Sequence, residues 1–285
     1  MIKIAAIQMC SSHIVDKNLQ TAANLIEEAA KSDAKLIVMP EMFAIMGLSA
    51  NDKVTEKEPF GKGKIQSFLS DQAKKNCIWI VGGTIPIECE NKKKVRAASL
   101  VFDDSGNFVN RYDKIHLFDV TLSENEMYKE SDTTEPGDEL VVVDTPFGKL
   151  GLAVCYDVRF PELFRCLVDK GAEIIALPSA FTVPTGEAHW ELLARSRAVE
   201  NFSYLIGACQ GGTHSNGRKT YGNSIVVEPW GNVVAKKIGV EEGVLYSNID
   251  LNKVHEARKS IPVKDHQRIF FDTSSIDNNK DRTKK

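Results

Sequence analysis

The sequence holds no apolar stretch approaching the roughly 18 consecutive residues that a bilayer-spanning helix needs. Its longest apolar runs are strand-sized and interrupted by Gly or Pro, which excludes a helical integral membrane protein. Long basic runs are also missing. With 36 Lys+Arg against 39 Asp+Glu, the formal net charge is −3, so no segment neutralises a phosphate backbone and nucleic-acid binding is not expected. The six cysteines, Cys10, Cys77, Cys89, Cys155, Cys166 and Cys209, are scattered, and the nearest pair lies eleven residues apart. Neither a CxxC redox motif nor a thiolate zinc site is written here. Six dispersed histidines without an HExxH pattern give no metal site. Gly61-Lys62-Gly63-Lys64 glances at a phosphate loop but lacks its preceding spacing and its following Ser/Thr, so it reads as a turn and a helix start. The N-terminal MIKIAAIQMCSS breaks its apolar run at Gln8 and alternates like a strand, unlike a secretory signal. A cytoplasmic setting is expected.

What is present suits a soluble α/β protein. The 285 residues are 42% hydrophobic and 26% charged, enough apolar material for a full core. LIVMP (Leu36 to Pro40), IWIVGG (Ile78 to Gly83), LGLAVC (Leu150 to Cys155) and EIIALP (Glu173 to Pro178) are near-continuous apolar runs, as expected of central strands covered on both faces. Helical spacing places Leu19, Ala22, Ala23, Ile26 and Ala30 on one face of a helix that Asp16 would cap. Further helices are expected over about 63–75, 161–170 and 187–201, and hairpins turn at Asp104-Ser105-Gly106-Asn107 and Pro229-Trp230-Gly231-Asn232. No Pro- or Ser-rich linker divides the chain, so one domain over 1–271 is expected, followed by a polar tail, 272–285, suited to disorder or a loosely docked arm.

Strand ends are where an α/β sheet presents reactive groups to a cleft while holding their positions. Glu41 follows LIVMP, Lys114 follows the second strand of the first hairpin, and Cys155 ends LGLAVC just before a helix start at Pro161. Each also has a plain reading, as solvated loop residues for Glu41 and Lys114 and as core for Cys155. Together they form a chemical set. A thiol needs a base to become a nucleophile, a carboxylate is such a base, and an ammonium stabilises an oxyanion. The backbone N–H of Tyr156 would face the same oxyanion if the chain turns sharply there.

MPEMF (Met39 to Phe43), RYDKIHLFD (Arg111 to Asp119) and GLAVCYDVRFPELFR (Gly151 to Arg165) resemble, in order and spacing, the three characteristic segments of the nitrilase superfamily of carbon–nitrogen hydrolases. The resemblance runs from about residue 2 to residue 270. It implies a four-layer α-β-β-α sandwich, Glu41, Lys114 and Cys155 as catalytic residues, no cofactor, and pairing into a homodimer or higher oligomer. YKESDTTEPG matches the segment that carries a second glutamate, Glu130, whose implied role is to orient the lysine and the first carboxylate. Around the cysteine, CYDVRFPELFR looks like the amidase branch that holds the deaminated glutathione amidases and ω-amidases. PSAFTVPTGEAHWELLARSRAVEN and ACQGGTHSNGRKTYGNS resemble the former most. The implied substrate is a small 2-oxo acid amide, deaminated glutathione giving 2-oxoglutarate and cysteinylglycine, with 2-oxoglutaramate as the alternative. Departures are Asn223, where relatives generally have His, and Glu187, where Pro or a small residue is common; both bear on substrate. Arg159, four residues beyond the cysteine, is the candidate anchor for a substrate carboxylate, because its planar fork of donors matches one bidentately. A surface arginine pairing Asp157 or Glu162 is the plain alternative. Thr185 is a weaker candidate for the same end of the substrate.

Two rival classes remain. A thiol acyltransferase would pair Cys155 with His116, read as lying in an alternating strand, or with His189, at a helix start. A binding protein would keep the fold with a dead site, against which stands the presence of all four catalytic-type residues. Self-association would run through the helices after Cys155 and before Asn201, with Leu163, Phe164 and Leu167 as an apolar face that suits ordinary core equally well.

Overall fold

The computed structural model describes residues 1–124 and 126–269; the polar tail 272–285 lies outside the described residues. Two large sheets carry the molecule. The first runs in the order β17 (Gly243–Ile249), β1 (Ile2–Gln8), β2 (Leu36–Val38), β3 (Trp79–Val81), β5 (Val95–Phe102), β4 (Ile85–Glu88), with β6 (Phe108–Asp113) also paired to β5. The second runs β16 (Val233–Lys236), β15 (Ile225–Val227), β12 (Tyr204–Cys209), β11 (Ile174–Ser179), β10 (Gly148–Leu152), β9 (Val142–Thr145). β1, β2 and β3 are parallel, as are β10, β11 and β12, and antiparallel strands extend both sheets outward. Small ribbons pair β7 (Asp119–Ser123) with β8 (Glu126–Lys129) and β13 (Gly211–Thr213) with β14 (Lys219–Tyr221).

Side-chain alternation explains the layering. Along β1, Ala5 and Ile7 pack with Leu19, Ala22 and Ile26 of the helix Val15–Lys31 and with Ile65 and Leu69 of the helix Lys64–Asn76. Ile4 and Ala6 point the other way, into a core shared with β10, β11 and β12. That second sheet is covered on its far side by the helices Pro161–Asp169 and Glu191–Val199. A strand between two apolar layers has no solvent face, which is why these strands read as unbroken apolar runs. The result is the four-layer α-β-β-α sandwich.

Several local expectations change. The helix starting at Val15 has Ile14 at its N-cap position; Asp16 lies in the first turn and pairs with Lys64 instead. Ala29 rather than Ala30 is buried. Gly63 does precede a helix, whose first amides, those of Ile65 and Gln66, are taken by the Glu58 carboxylate at 2.5 and 3.1 Å. Leu163, Phe164 and Leu167 are core, at 4%, 0% and 0% exposure, so that face is not open to a second copy. His116 lies beyond the end of β6 rather than within a strand, stacked on Phe160 at 3.6 Å between centroids.

Candidate active site

Each candidate group stands just past a strand end. Glu41 follows β2 by way of Met39 and Pro40, and its loop is held from behind. Gly83, at φ +56°, comes so close that a Cβ there would sit 2.1 Å from the Pro40 carbonyl oxygen. The Thr84 hydroxyl accepts from the Met42 amide at 2.9 Å, and Gln210 Nε2 donates to the Glu41 carbonyl at 3.0 Å. Lys114 is the residue after β6. Its carbonyl accepts from the Gly137 amide at 2.8 Å, an approach that only a glycine permits, since a Cβ on Gly137 would lie 2.1 Å from the Asp113 oxygen. Glu130 opens a short 3₁₀ turn after β8.

Cys155 begins a 3₁₀ turn, Cys155–Arg159, between β10 and the helix that Pro161 starts. Its φ is +46°, a left-handed conformation that costs a residue bearing a Cβ about 1–2 kcal/mol. Asp157, fully buried, holds the turn in place. Its Oδ2 accepts from the Val154 amide at 2.8 Å and from the Tyr112 hydroxyl at 2.7 Å; its Oδ1 accepts from the His116 amide at 3.1 Å and lies 2.7 Å from His116 Nδ1.

The groups meet in one cavity of about 400 Å³, whose wall includes Glu41, Lys114, Glu130, Cys155, Arg159 and Thr185. Lys114 Nζ donates to Glu41 Oε1 and to Glu130 Oε2, both at 2.8 Å, and Glu130 Oε2 also accepts the Phe118 amide at 2.7 Å. Burial opposes the charge on Lys114, yet Glu130 and Glu41 outweigh it and hold its pKa well above the ordinary lysine range. Glu130 is likewise pushed up by burial but drawn further down, below the ordinary carboxylate range, by Lys114 and Lys53. Burial first, then the neighbouring Glu41 carboxylate, pushes the Cys155 thiol well above the usual cysteine range; Lys114 and the Ala180 N–H act the other way without reversing it. The sulfur therefore rests as a neutral thiol beside a carboxylate able to accept its proton.

The remaining candidates fall as follows. Tyr156 is the second residue of the nucleophile turn, and the first amides of a helical turn have no intrahelical carbonyl to bond. Arg159 makes no ion pair with Asp157 or Glu162 among the described residues. Its guanidinium lies over the rings of Tyr156 and Phe181, at 5.8 and 5.9 Å, with Nη2 3.2 Å from His189 Nδ1. Thr185 Oγ1 is 2.8 Å from Thr182 Oγ1. Among the described residues no histidine hydrogen-bonds Cys155: His116 serves Asp157 and His189 faces Arg159. Asn223 and Glu187 do not line the cavity; Asn223 instead offers its carbonyl to Trp190 Nε1 at 2.8 Å.

Four participants were not picked out from the sequence. Asp157 carried no signal beyond its place two residues after Cys155. The Ala180 amide, like any backbone donor, leaves no trace in residue identity. Lys53 and Arg218 also line the cavity, yet they sit in polar segments, NDKVTEK and SNGRK, that read as solvated loop.

Residues 3–259 match the carbon-nitrogen hydrolase family. The chain is 38% identical over 268 residues to the deaminated glutathione amidase of Yersinia enterocolitica, covering 93% of each. It is 40% identical over 262 residues to omega-amidase NIT2 of Homo sapiens, covering 92% of this chain and 93% of that one. The crystal structure of Saccharomyces cerevisiae Nit3, a member of branch 10 of the nitrilase superfamily, superposes with a TM-score of 0.83 at 36% identity, covering 92% of this chain and 94% of that one. With this sandwich, this cluster and a match along nearly its whole length, the chain belongs to the carbon-nitrogen hydrolase family, enzymes that cleave carbon–nitrogen bonds other than those of peptides.

Proposed function

We propose that the protein is a cysteine-dependent amidase with Cys155 as nucleophile, Glu41 as general base and acid, and Lys114 as oxyanion stabiliser. Glu41 takes the thiol proton as sulfur attacks the amide carbonyl. Lys114 and the N–H groups of Tyr156 and Ala180 receive the charge that develops on the carbonyl oxygen. When the carbon–nitrogen bond breaks, Glu41 returns the proton to the departing amine, leaving a thioester on Cys155. The same carboxylate then draws a proton from water, which hydrolyses the thioester and frees the acid and the thiol. Glu130 keeps Lys114 charged and pointed at this position. What carries the reading is the convergence of Glu41, Lys114 and Cys155, from three separate strand ends, on one cavity.

The substrate in this reading is a small 2-oxo acid amide, anchored by Arg159 and Thr185. Deaminated glutathione is the main candidate and 2-oxoglutaramate the alternative, following the activities in the names of the two relatives. The catalytic domain spans 1–271, requires no cofactor, works in the cytoplasm and self-associates. Six free thiols fit a reducing compartment. Sedimentation at micromolar concentration tests the last point, and a monomer there would remove it. For the activity, initial rates on the two amides are compared between the protein and Cys155→Ala. Hydrolysis lost in Cys155→Ala but retained in Cys166→Ala and Cys209→Ala is expected; full activity in Cys155→Ala would exclude the mechanism.

A further inference from the structure

The charges around the cavity do not balance. Among the described residues, Lys53, Lys114, Arg159 and Arg218 share the cavity wall with two carboxylates, Glu41 and Glu130. Both acids are committed to Lys114. Lys129, also on the wall, pairs with Asp132 at the surface. Two positive charges are therefore left uncompensated, and among the described residues no carboxylate lies within ion-pair distance of Lys53, Arg159 or Arg218. Unpaired cations in a partly desolvated cleft are costly unless an anion joins them.

Lys53 and Arg218 line the same cavity as Arg159 but come from segments distant from it in sequence. Lys53 spends one ammonium proton on the Thr134 hydroxyl, at 2.7 Å, and has two more to offer. Arg218 is fixed by a bond from Nη2 to the Ala180 carbonyl at 2.8 Å, while its Nε is buried without an acceptor. The segments carrying them are tied together where Asn216 Nδ2 donates to the Gly47 carbonyl at 2.7 Å. A row of rings runs from one arginine to the other: Arg218 lies over Tyr128, Tyr128 touches Phe118, Phe118 touches Tyr156, and Tyr156 underlies Arg159. The Ala180 amide that faces the Cys155 sulfur adjoins both arginines, since Arg218 holds the Ala180 carbonyl and Arg159 lies over Phe181.

We propose that Lys53 and Arg218 bind a carboxylate on the amine portion of the substrate, so that the preferred substrate is a dianionic amide releasing an amino acid or small peptide rather than ammonia. This rests on the amidase reading above. Arg159 takes the carboxylate of the acyl portion, the scissile carbonyl lies at Cys155, and the second carboxylate reaches past it to the lysine and arginine. A primary amide such as 2-oxoglutaramate has no group to place there.

The test uses deaminated glutathione, its glycine methyl ester and 2-oxoglutaramate, with unmodified protein, Lys53→Gln, Arg218→Gln and the charge-conserving Lys53→Arg. Hydrogen bonds to a charged group suggest about tenfold or more per lost contact. Unmodified protein should therefore show kcat/KM at least ~10-fold lower on the methyl ester than on the free acid, carried mainly by KM. Lys53→Gln and Arg218→Gln should each cut kcat/KM on the acid by ~10-fold more than on the ester, and Lys53→Arg should keep the preference for the acid. Equal rates on acid and ester by unmodified protein would overturn the inference while leaving the amidase reading intact, as would equal losses on both in the variants. No turnover of any of the three amides would overturn both.

Discussion

The Tyr112 hydroxyl donates to Asp157 Oδ2 across 2.7 Å of fully buried interior. Tyr112 is two residues before Lys114, and Asp157 two residues after Cys155. This single bond therefore fixes the end of β6, which presents the ammonium, against the turn that presents the sulfur. Burial, followed by the Asp157 charge, raises the Tyr112 pKa well above the tyrosine range, so the hydroxyl remains a donor. Tyr112→Phe leaves Asp157 short of one partner and should cost about 1–3 kcal/mol of stability. As a positioning change it should lower kcat more than it raises KM. Denaturant unfolding and steady-state kinetics on the same variant check this, and an unchanged kcat would make the bond purely structural.

Removing the charge centre should separate chemistry from folding. Glu41→Gln and Lys114→Met should each lower kcat by at least ~100-fold, the usual scale for losing a general base or an oxyanion donor. They should differ in stability, because Lys114→Met strands two carboxylates in the interior, a loss of the order of 3–5 kcal/mol. Glu130→Gln should be less damaging than Lys114→Met. Near-normal kcat in Glu41→Gln would remove that residue from catalysis.

The same cluster sets a pH window. Glu130 has a folded-state pKa below the ordinary glutamate value of 4.5, and Lys114 one well above the lysine value of 10.5. A depressed carboxylate stabilises the fold above its unfolded pKa and loses that contribution as pH falls through the folded value. A raised lysine stabilises below its unfolded pKa and loses the contribution as pH rises through the folded value. Both are fully present between about 4.5 and 10.5. The melting temperature of the unmodified protein should fall more steeply below this window than that of Glu130→Gln; parallel acid limbs would contradict the assignment.

Arg159→Lys keeps the charge but loses the planar fork. It should raise KM for 2-oxo acid amides while Cys155 reacts with iodoacetamide, which carries no carboxylate, at close to its normal rate. An unchanged kcat/KM on the anionic substrate would place the anchor elsewhere.

Much of this was legible because strand ends announce themselves. LIVMP and LGLAVC stay apolar up to Glu41 and Cys155, since a strand covered on both faces must be apolar until it emerges; Lys114 was marked instead by the end of a hairpin whose second strand is half exposed. The layer order was legible in the same runs together with the resemblance. What could not be read is what depends on contacts distant in sequence. The cation at residue 53 and the one at 218 meet only after folding, and locally each is one charge among several. Leu163, Phe164 and Leu167 have the spacing of an interface as much as of a core, and only the packing of their helix on β10 and the Cys155 turn distinguishes them. His116 illustrates a different limit. Its alternation with neighbours suggested a strand, but Asp157, 41 residues away, pulls its backbone amide and ring out of the ladder.

The central claim is that the reaction passes through an acyl group on Cys155. The most direct measurement is intact mass followed by peptide mapping, on the unmodified protein mixed with deaminated glutathione and quenched in acid during turnover. The mechanism predicts a protein heavier by one 2-oxoglutaryl group, carried by the peptide that contains Cys155 and absent from Cys155→Ala. An adduct on any other residue, or turnover that persists in Cys155→Ala, would contradict it.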